Sequence, residues 1–403
     1  CIVGEATARV KGYDSARIAP EALLPCEVGL RMGRWNGKET TENTENTEWE
    51  EGGSRRDMRL TLLGRGFTII EIEGRGRSEA WREGCLGFET SAGKMPAVHE
   101  GRSDMAREVR WERMFPDQLE QAFAECPLVY YTYGLCEPHG PQNAIGLDAL
   151  KVHAIACKAA QAYGGIVAPP DYWHIHELSG YAVWAHQAVG EVARTWLTSL
   201  PPWQHFKNVC YHIRAADAIG FHAAILLTGH YGPNWEDLKR LIELVQPYVG
   251  ARLYGLPDFE ANQPGFDRDG KSGGDHAGKV ETSLLWALAP ECVDISRVPP
   301  PEEPGEHMAM GKDVRLSSRR VGERMVADEV RWLGEKGKEL LAAYEHEKPK
   351  QRLRTFAQVE ELWDRVVAPV VREFASMQEV WPGQQPPPED SVWRENWPVP
   401  KRF

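Results

Sequence analysis

The chain of 403 residues lacks several features that would place it in a common class at once. It has no excess of positive charge: 47 Lys and Arg stand against 59 Asp and Glu, a formal charge of −12. A general nucleic-acid binder is therefore disfavoured, since the phosphate backbone rewards clustered cations. No run approaches the ~18 consecutive apolar residues that span a bilayer. No CxxC pair occurs among the 8 cysteines, which removes zinc-ribbon and thioredoxin-like readings. They are scattered, and Cys157 and Cys210 fall in apolar segments where buried thiols are common. A reducing, cytoplasmic setting is the expectation. The chain opens on Cys1 instead of Met, which fits a processed start, a lipid-modified cysteine or an incomplete sequence.

An apolar fraction of 42% and a charged fraction of 26% are ordinary for a globular protein of one large domain or two. Residues 1–111 read as an N-terminal extension. Its TTENTENTEWEEGG segment (40–53) is polar and of low complexity, and is expected to be a loop. MRLTLLGRGFTIIEIEG (58–74) reads as one or two strands. Within it, GFTIIE resembles the cleavage site of type IV pilin precursors, but EGRGRSEAWREG follows instead of a long apolar helix. A structural strand is the better reading.

From about 112 the pattern alternates between strands and helices. FPDQLEQAFAEC, GLDALKVHAIACKAAQAYGG, EVARTWLTSL and WEDLKRLIELVQPYVG have helical spacing. PLVYYTYG, IVAPP, FHAAILLTGH and ARLYGL read as short strands, several of them wholly apolar. The alternation predicts an α/β fold with a largely parallel sheet, whose sites lie past the carboxyl ends of strands. The domain is expected over 112–330. A helical, Pro- and Trp-rich extension over 331–403 follows, and its end is expected to lie extended along a neighbouring surface.

Three polar clusters fall at or near strand ends. EPHGPQNAIGLD holds Glu137, His139 and Asp148; TGHYGPNW holds His230; GGDHAGKVETS holds Asp275, His276 and Glu281. Carboxylates and imidazoles are the ligands of hydrolytic divalent metals, and a carboxylate can bridge two ions. Glu137 and His139, two apart in an extended segment, point the same way. Each cluster alone has a plainer reading. Asp148 could cap a helix, Glu281 could complement a helix dipole, and His230 could be a hydrogen-bonded loop residue. His174 and His176 in DYWHIHEL suit a surface or subunit contact and receive no catalytic role.

Taken together and in this order, EPHGPQNAIGLD, TGHYGPN and HAGKVETS resemble the hallmark segments of the creatininase family, also called creatinine amidohydrolases. MGKDVRLSSRRVGERM (310–325) resembles the approach to that family's last helix. The resemblance implies a three-layer α/β/α fold and two divalent ions, zinc with zinc or manganese, with iron as an alternative. It further implies cleavage of a C–N bond in linear or cyclic amides by a metal-activated water, and a homohexamer. Carried over by position, Glu137 and His230 match ligands of one ion. His139 matches a ligand of the other, Asp148 the bridge, His276 the acid/base and Tyr231 a substrate contact. Asp275 is a candidate to orient His276.

Departures are equally specific. Gly232 stands where creatininase places a ligand carboxylate, and Glu281 is the candidate substitute. Lys279 brings positive charge to an acidic position, Thr228 replaces an Asn, and Ser272 replaces a tryptophan, which disfavours creatinine itself as substrate. The competing class is a self-assembling structural protein on the same fold, with reduced or lost catalysis, suggested by the extensions and by Gly232. A ring, tube or filament would follow from contacts that do not close.

Overall fold

The computed structural model describes residues 43–51, 54–63, 67–74, 107–262, 276–303, 307–349 and 351–403. The chain divides into two units, residues 1–98 and 99–403. In the first, β1 (Asn43–Glu51), β2 (Ser54–Leu63) and β3 (Phe67–Gly74) form an antiparallel meander. The register runs from Asn43 opposite Leu62 to Glu51 opposite Ser54, and from Arg56 opposite Gly74 to Leu63 opposite Phe67. Residues 43–51 of the polar segment expected to be a loop are thus a strand. It pairs with β2 along its whole length, and backbone pairing of this kind does not depend on side-chain polarity.

The second unit begins with α1 (Pro116–Glu125), β4 (Leu128–Tyr133), α2 (Leu147–Tyr163) and β5 (Ile166–Val167). Next come β6 (His174–Ile175), α3 (Gly180–Ala188), β7 (Ser199–Leu200) and α4 (Pro202–Ile219). The series closes with β8 (Ala223–Thr228), α5 (Asn234–Val245), β9 (Arg252–Pro257), α6 (Lys279–Leu288), α7 (Arg319–Glu347) and α8 (Phe356–Leu362). The central sheet is wholly parallel, in the order β5-β4-β8-β9. β4 and β8 are apolar on both faces because both faces are covered.

Alternation along these strands sorts the core into two layers. Val129, Tyr131 and Tyr133 of β4, with Ala224 and Leu226 of β8, pack on α1, α4, α5 and residues 359–377. Leu128, Tyr130, Ala223, Ile225 and Leu227 face α2, α6 and α7. The fold is a three-layer α/β/α sandwich, as expected.

Two expectations are corrected. EVARTWLTSL is not helical: Trp196 has φ +54°, and Ser199–Leu200 pairs with His174–Ile175 as β7. The helix starts later, at Pro202, where a fixed φ and a missing N–H suit the first helical position. The boundary expected at 330/331 falls inside α7, whose 29 residues run unbroken to Glu347. Beyond α8 the chain continues in short turns that bury Trp363, Val367, Val371, Phe374 and Met377 in the core and Trp393 against α3. Ser376 O accepts the Ser179 hydroxyl at 2.6 Å, and Trp393 Nε1 donates to Gly190 O at 2.7 Å.

Candidate metal centre

From β4 the chain runs through α2 to β5 on one side. It later returns to β8 on the other, so the strand order reverses between β4 and β8. A crevice opens at such a reversal, beyond the carboxyl ends of the strands. Glu137 and His139 follow β4, His230 follows β8 and Asp258 follows β9. The first turn of α2 closes the crevice from below. It comes this near because Gly134 and Gly229 follow the two strands; a Cβ on Gly229 would overlap the Asp148 carbonyl, and one on Gly134 would overlap the Ala149 backbone.

Asp148 therefore stands between the two strand ends, fully buried. It does not cap α2, whose N-cap is Gly146 and has no side-chain cap bond. Its Oδ1 lies 3.2 Å from His139 Nε2 and its Oδ2 lies 3.3 Å from His230 Nδ1. His230 Nδ1 also lies 2.8 Å from Glu137 Oε1, and His139 Nε2 lies 3.6 Å from Glu281 Oε2. Two triads result, Glu137/Asp148/His230 and His139/Asp148/Glu281, with the ligand atoms of each within 4.8 Å of one another. A third grouping joins Glu137, His139 and His276.

His139 is fixed by its Nδ1, 3.0 Å from the Glu137 carbonyl, which leaves Nε2 to face the crevice. The turn carrying His230 is pinned by Asn234, whose amide donates to the carbonyls of His230 (3.1 Å) and Tyr231 (3.0 Å). Glu281 lies in the first turn of α6, and its Oε2 accepts the Ala277 N–H at 2.7 Å. The helix-terminus reading and the site reading of Glu281 thus hold together.

The residues fit a pair of divalent cations on one decisive point. His139 Nε2, Glu137 Oε2, Glu281 Oε1 and both Asp148 oxygens are buried without a hydrogen bond, although buried polar atoms normally have one. Charge distribution agrees. Burial opposes a charged imidazole at His139, but Asp148, Glu281 and Glu137 outweigh it and push the ring up to about 9. Burial likewise opposes charge on His230, and Glu137 with Asp148 pushes it up to about 10. Burial raises Glu281 to about 8 against the pull of Lys151 and His139. A cation entering here would displace the protons of both histidines.

A family model described as "Creatininase: Creatinine amidohydrolase" matches residues 112–347, more than half of the chain. The chain belongs to the creatininase family. Among solved structures it is similar to a putative creatinine amidohydrolase from Bacteroides fragilis NCTC 9343, at 19% identity and TM-score 0.47, covering 59% of this chain and 98% of that one. It is also similar to a creatinine amidohydrolase (creatininase), at 22% identity and TM-score 0.46, covering 58% and 98%. A third is a manganese form of creatininase, at 22% identity and TM-score 0.45, with the same coverage. No curated protein matches the chain significantly.

Within this family frame, the departure at residue 232 has a physical reason. Gly232 has φ +99°, and a Cβ there would lie 2.9 Å from the Tyr181 ring. This backbone has no room for a carboxylate at 232, and Glu281 stands with His139 and Asp148 instead. His276 sits at the edge of the centre. Its ring stacks on His139 with centroids 4.3 Å apart, and Trp184 of α3 meets it edge-on at 4.6 Å. His276 Nε2 donates to the Pro138 carbonyl at 2.8 Å. Burial and the neighbouring His139 hold the imidazole down at about 4. Tyr231 directs its hydroxyl to Asp258 Oδ1 at 3.0 Å. Asp275 and Ser272 lie outside the described residues.

Four residues that pack around this cluster were missed in the sequence. His176 is no surface residue: it is buried, with Nε2 3.0 Å from Glu137 Oε2, and His174 lies behind His230 with its ring 3.9 Å from that of His205. Trp184 supplies an aromatic wall from an element with no motif. Lys151 is fully buried, 3.0 Å from Asp258 Oδ2, 3.4 Å from Glu281 Oε1 and 3.6 Å from Asp148 Oδ1. A signal for Lys151 existed: Leu147, Ile155 and Ala159 make an apolar stripe at helical spacing, and Lys151 interrupts it three residues after Asp148.

Proposed function

We propose that this protein is a metal-dependent hydrolase that cleaves the C–N bond of a small linear or cyclic amide. The observation that carries the reading is Asp148, shared by both triads, whose two oxygens have no hydrogen bond and face His139 on one side and His230 on the other. Glu137, Asp148 and His230 would hold one divalent ion, and His139, Asp148 and Glu281 the other. Zinc is the leading choice for both, with a zinc–manganese pair or iron as alternatives. Such ions lower the pKa of a water and polarise an amide carbonyl.

The chain's own residues account for the proton and the pocket. His276 spends its Nε2 proton on Pro138 O, so Nδ1 carries the lone pair, and the depressed basicity keeps the ring neutral. It can take a proton at Nδ1 and return it to the leaving nitrogen, which could not depart as an anion. Trp184 lies edge-on against it, and Tyr231, whose hydroxyl meets Asp258, is the proposed substrate contact. The assembly alternative drew on the missing carboxylate at 232; Glu281 as its replacement favours an enzyme. A cytoplasmic homo-oligomer of six or more chains belongs to the proposal and is testable by mass photometry.

The test is metal analysis beside a panel of linear and cyclic amides. Wild-type protein is expected to hold two ions per chain and to turn over at least one amide; Glu137→Gln and His230→Ala lose both properties. Full metal content and full hydrolysis in those variants would overturn the reading.

A further inference from the structure

We propose that Lys151 makes the two metal positions unequal, weakening the His139/Asp148/Glu281 position relative to the Glu137/Asp148/His230 position. At limiting metal the protein then holds one ion, and it takes the second only at higher concentration. The inference rests on the metal-dependent reading above and adds an order of filling to it.

The geometry is asymmetric. Lys151 Nζ approaches Asp148 through Oδ1 at 3.6 Å, the oxygen that faces His139, and not through Oδ2, which faces His230. It also approaches Glu281 Oε1 at 3.4 Å. Two of the three ligands of one position therefore share their negative charge with an ammonium. The other position meets that ammonium only through the far oxygen of Asp148. Glu137 is flanked instead by His230 at 2.8 Å and His176 at 3.0 Å.

Lys151 is held where it is. Its Nζ donates to the Gly229 carbonyl, pairs with Asp258 Oδ2 at 3.0 Å and stands 4.2 Å from the centre of the Tyr231 ring. A fixed positive charge a few ångströms from a divalent ion is strongly repelled where water does not screen it. Asp258 offsets part of that charge from the far side. The two residues therefore have opposite expected effects, and a merely structural pair would not.

The experiment titrates the metal-stripped full-length protein with Zn²⁺ by calorimetry and counts bound metal by mass spectrometry. The wild type is expected to bind two equivalents, the second at least about tenfold more weakly. Lys151→Met should tighten the second step at least about tenfold and leave the first within about threefold. Asp258→Asn, which leaves the ammonium without its counter-charge, should weaken the second step further. Should Lys151→Met fail to fold, the double variant K151M/D258N removes the pair together and should bind the second ion more tightly than D258N. Equal steps in the wild type, or a second step that Lys151→Met leaves unchanged or weakens, overturn the inference while leaving the two-metal reading intact. A wild type that binds no metal overturns both.

Discussion

Two sets of buried carboxylates in this unit differ in one respect. Asp217 accepts the N–H groups of Gly250 and Ala251 at 2.9 Å each, and that of Leu353 through its other oxygen. Asp237 accepts those of Ala375 and Ser376 at 2.9 and 2.8 Å. Each ties a distant segment to the core, and each has its lone pairs filled by backbone. Asp148, equally buried, has no hydrogen bond on either oxygen, and Glu137 and Glu281 each keep one oxygen without one. Buried carboxylates satisfied by backbone N–H groups are architecture. Buried carboxylates that converge unsatisfied are stable only if something positive meets them, and here that is imidazolium, Lys151 or metal.

The contrast predicts opposite outcomes for similar substitutions. Asp148→Asn removes the shared ligand and is expected to abolish both metal equivalents and to lower amide hydrolysis roughly a thousandfold or more. The metal-stripped protein should lose some thermal stability as well, because the Asp148 carboxylate is the counter-charge that holds the His139 and His230 rings protonated. An Asp148→Asn protein that unfolds with its metal content intact would erase the distinction. Asp217→Ala is the reverse case. It strands three buried N–H donors at ~1–3 kcal/mol each, so denaturant unfolding should show a loss of about 3 kcal/mol or more. Metal per folded chain should be unchanged.

How much of this the sequence disclosed depended on whether the signal was local. The strands ending before Glu137 and His230 were legible because an apolar run covered on both faces looks like nothing else of its length. The five residues expected as ligands were picked out through their motifs, and the structure brings their side chains together. Lys151, His176 and Trp184 were not, because their role comes from what packs against them. Lys151 is a polar residue in a helix until Asp258, over 100 positions later, is brought beside it. EVARTWLTSL had helical spacing, but Pro201 and Pro202 moved the helix start beyond it, and pairing with His174–Ile175 captured its last two residues. The strand at 43–51 was hidden by its polar composition, which does not prevent its backbone from pairing with β2.

His176 tests the boundary between the two sets more gently. Its Nδ1 lies 2.8 Å from the Glu177 backbone nitrogen, which donates to it, so its own proton sits on Nε2, facing Glu137 Oε2. On the two-metal reading it orients Glu137. Losing a group that orients a metal ligand costs roughly 10–100-fold in metal affinity, so His176→Ala should weaken the first calorimetric step by that factor. Its folded spectrum should be retained. No change in the first step would remove His176 from the centre.

Glu329 of α7 shows a third way to bury a carboxyl, and the smallest predicted effect. It is 1% exposed and accepts the Asn262 amide at 3.0 Å. Burial, opposed by that hydrogen bond and reinforced by the charge of Asp258, pushes its carboxyl from 4.5 up to about 9. The group is therefore neutral in the fold at pH 7 and needs no cation. Below the unfolded value near 4.5, both states are protonated and Glu329 adds no pH dependence. Between about 4.5 and about 9 the unfolded chain ionises while the folded one stays protonated. Stability must then fall as pH rises through that window and level off above it. Glu329→Gln removes the ionisation from both states and should flatten the curve. The expected gain grows with pH across the window and is close to none at pH 4. Denaturant melts of the two proteins across that range measure it, and a difference independent of pH would show that Glu329 is held charged by a partner, as the metal-facing carboxylates are.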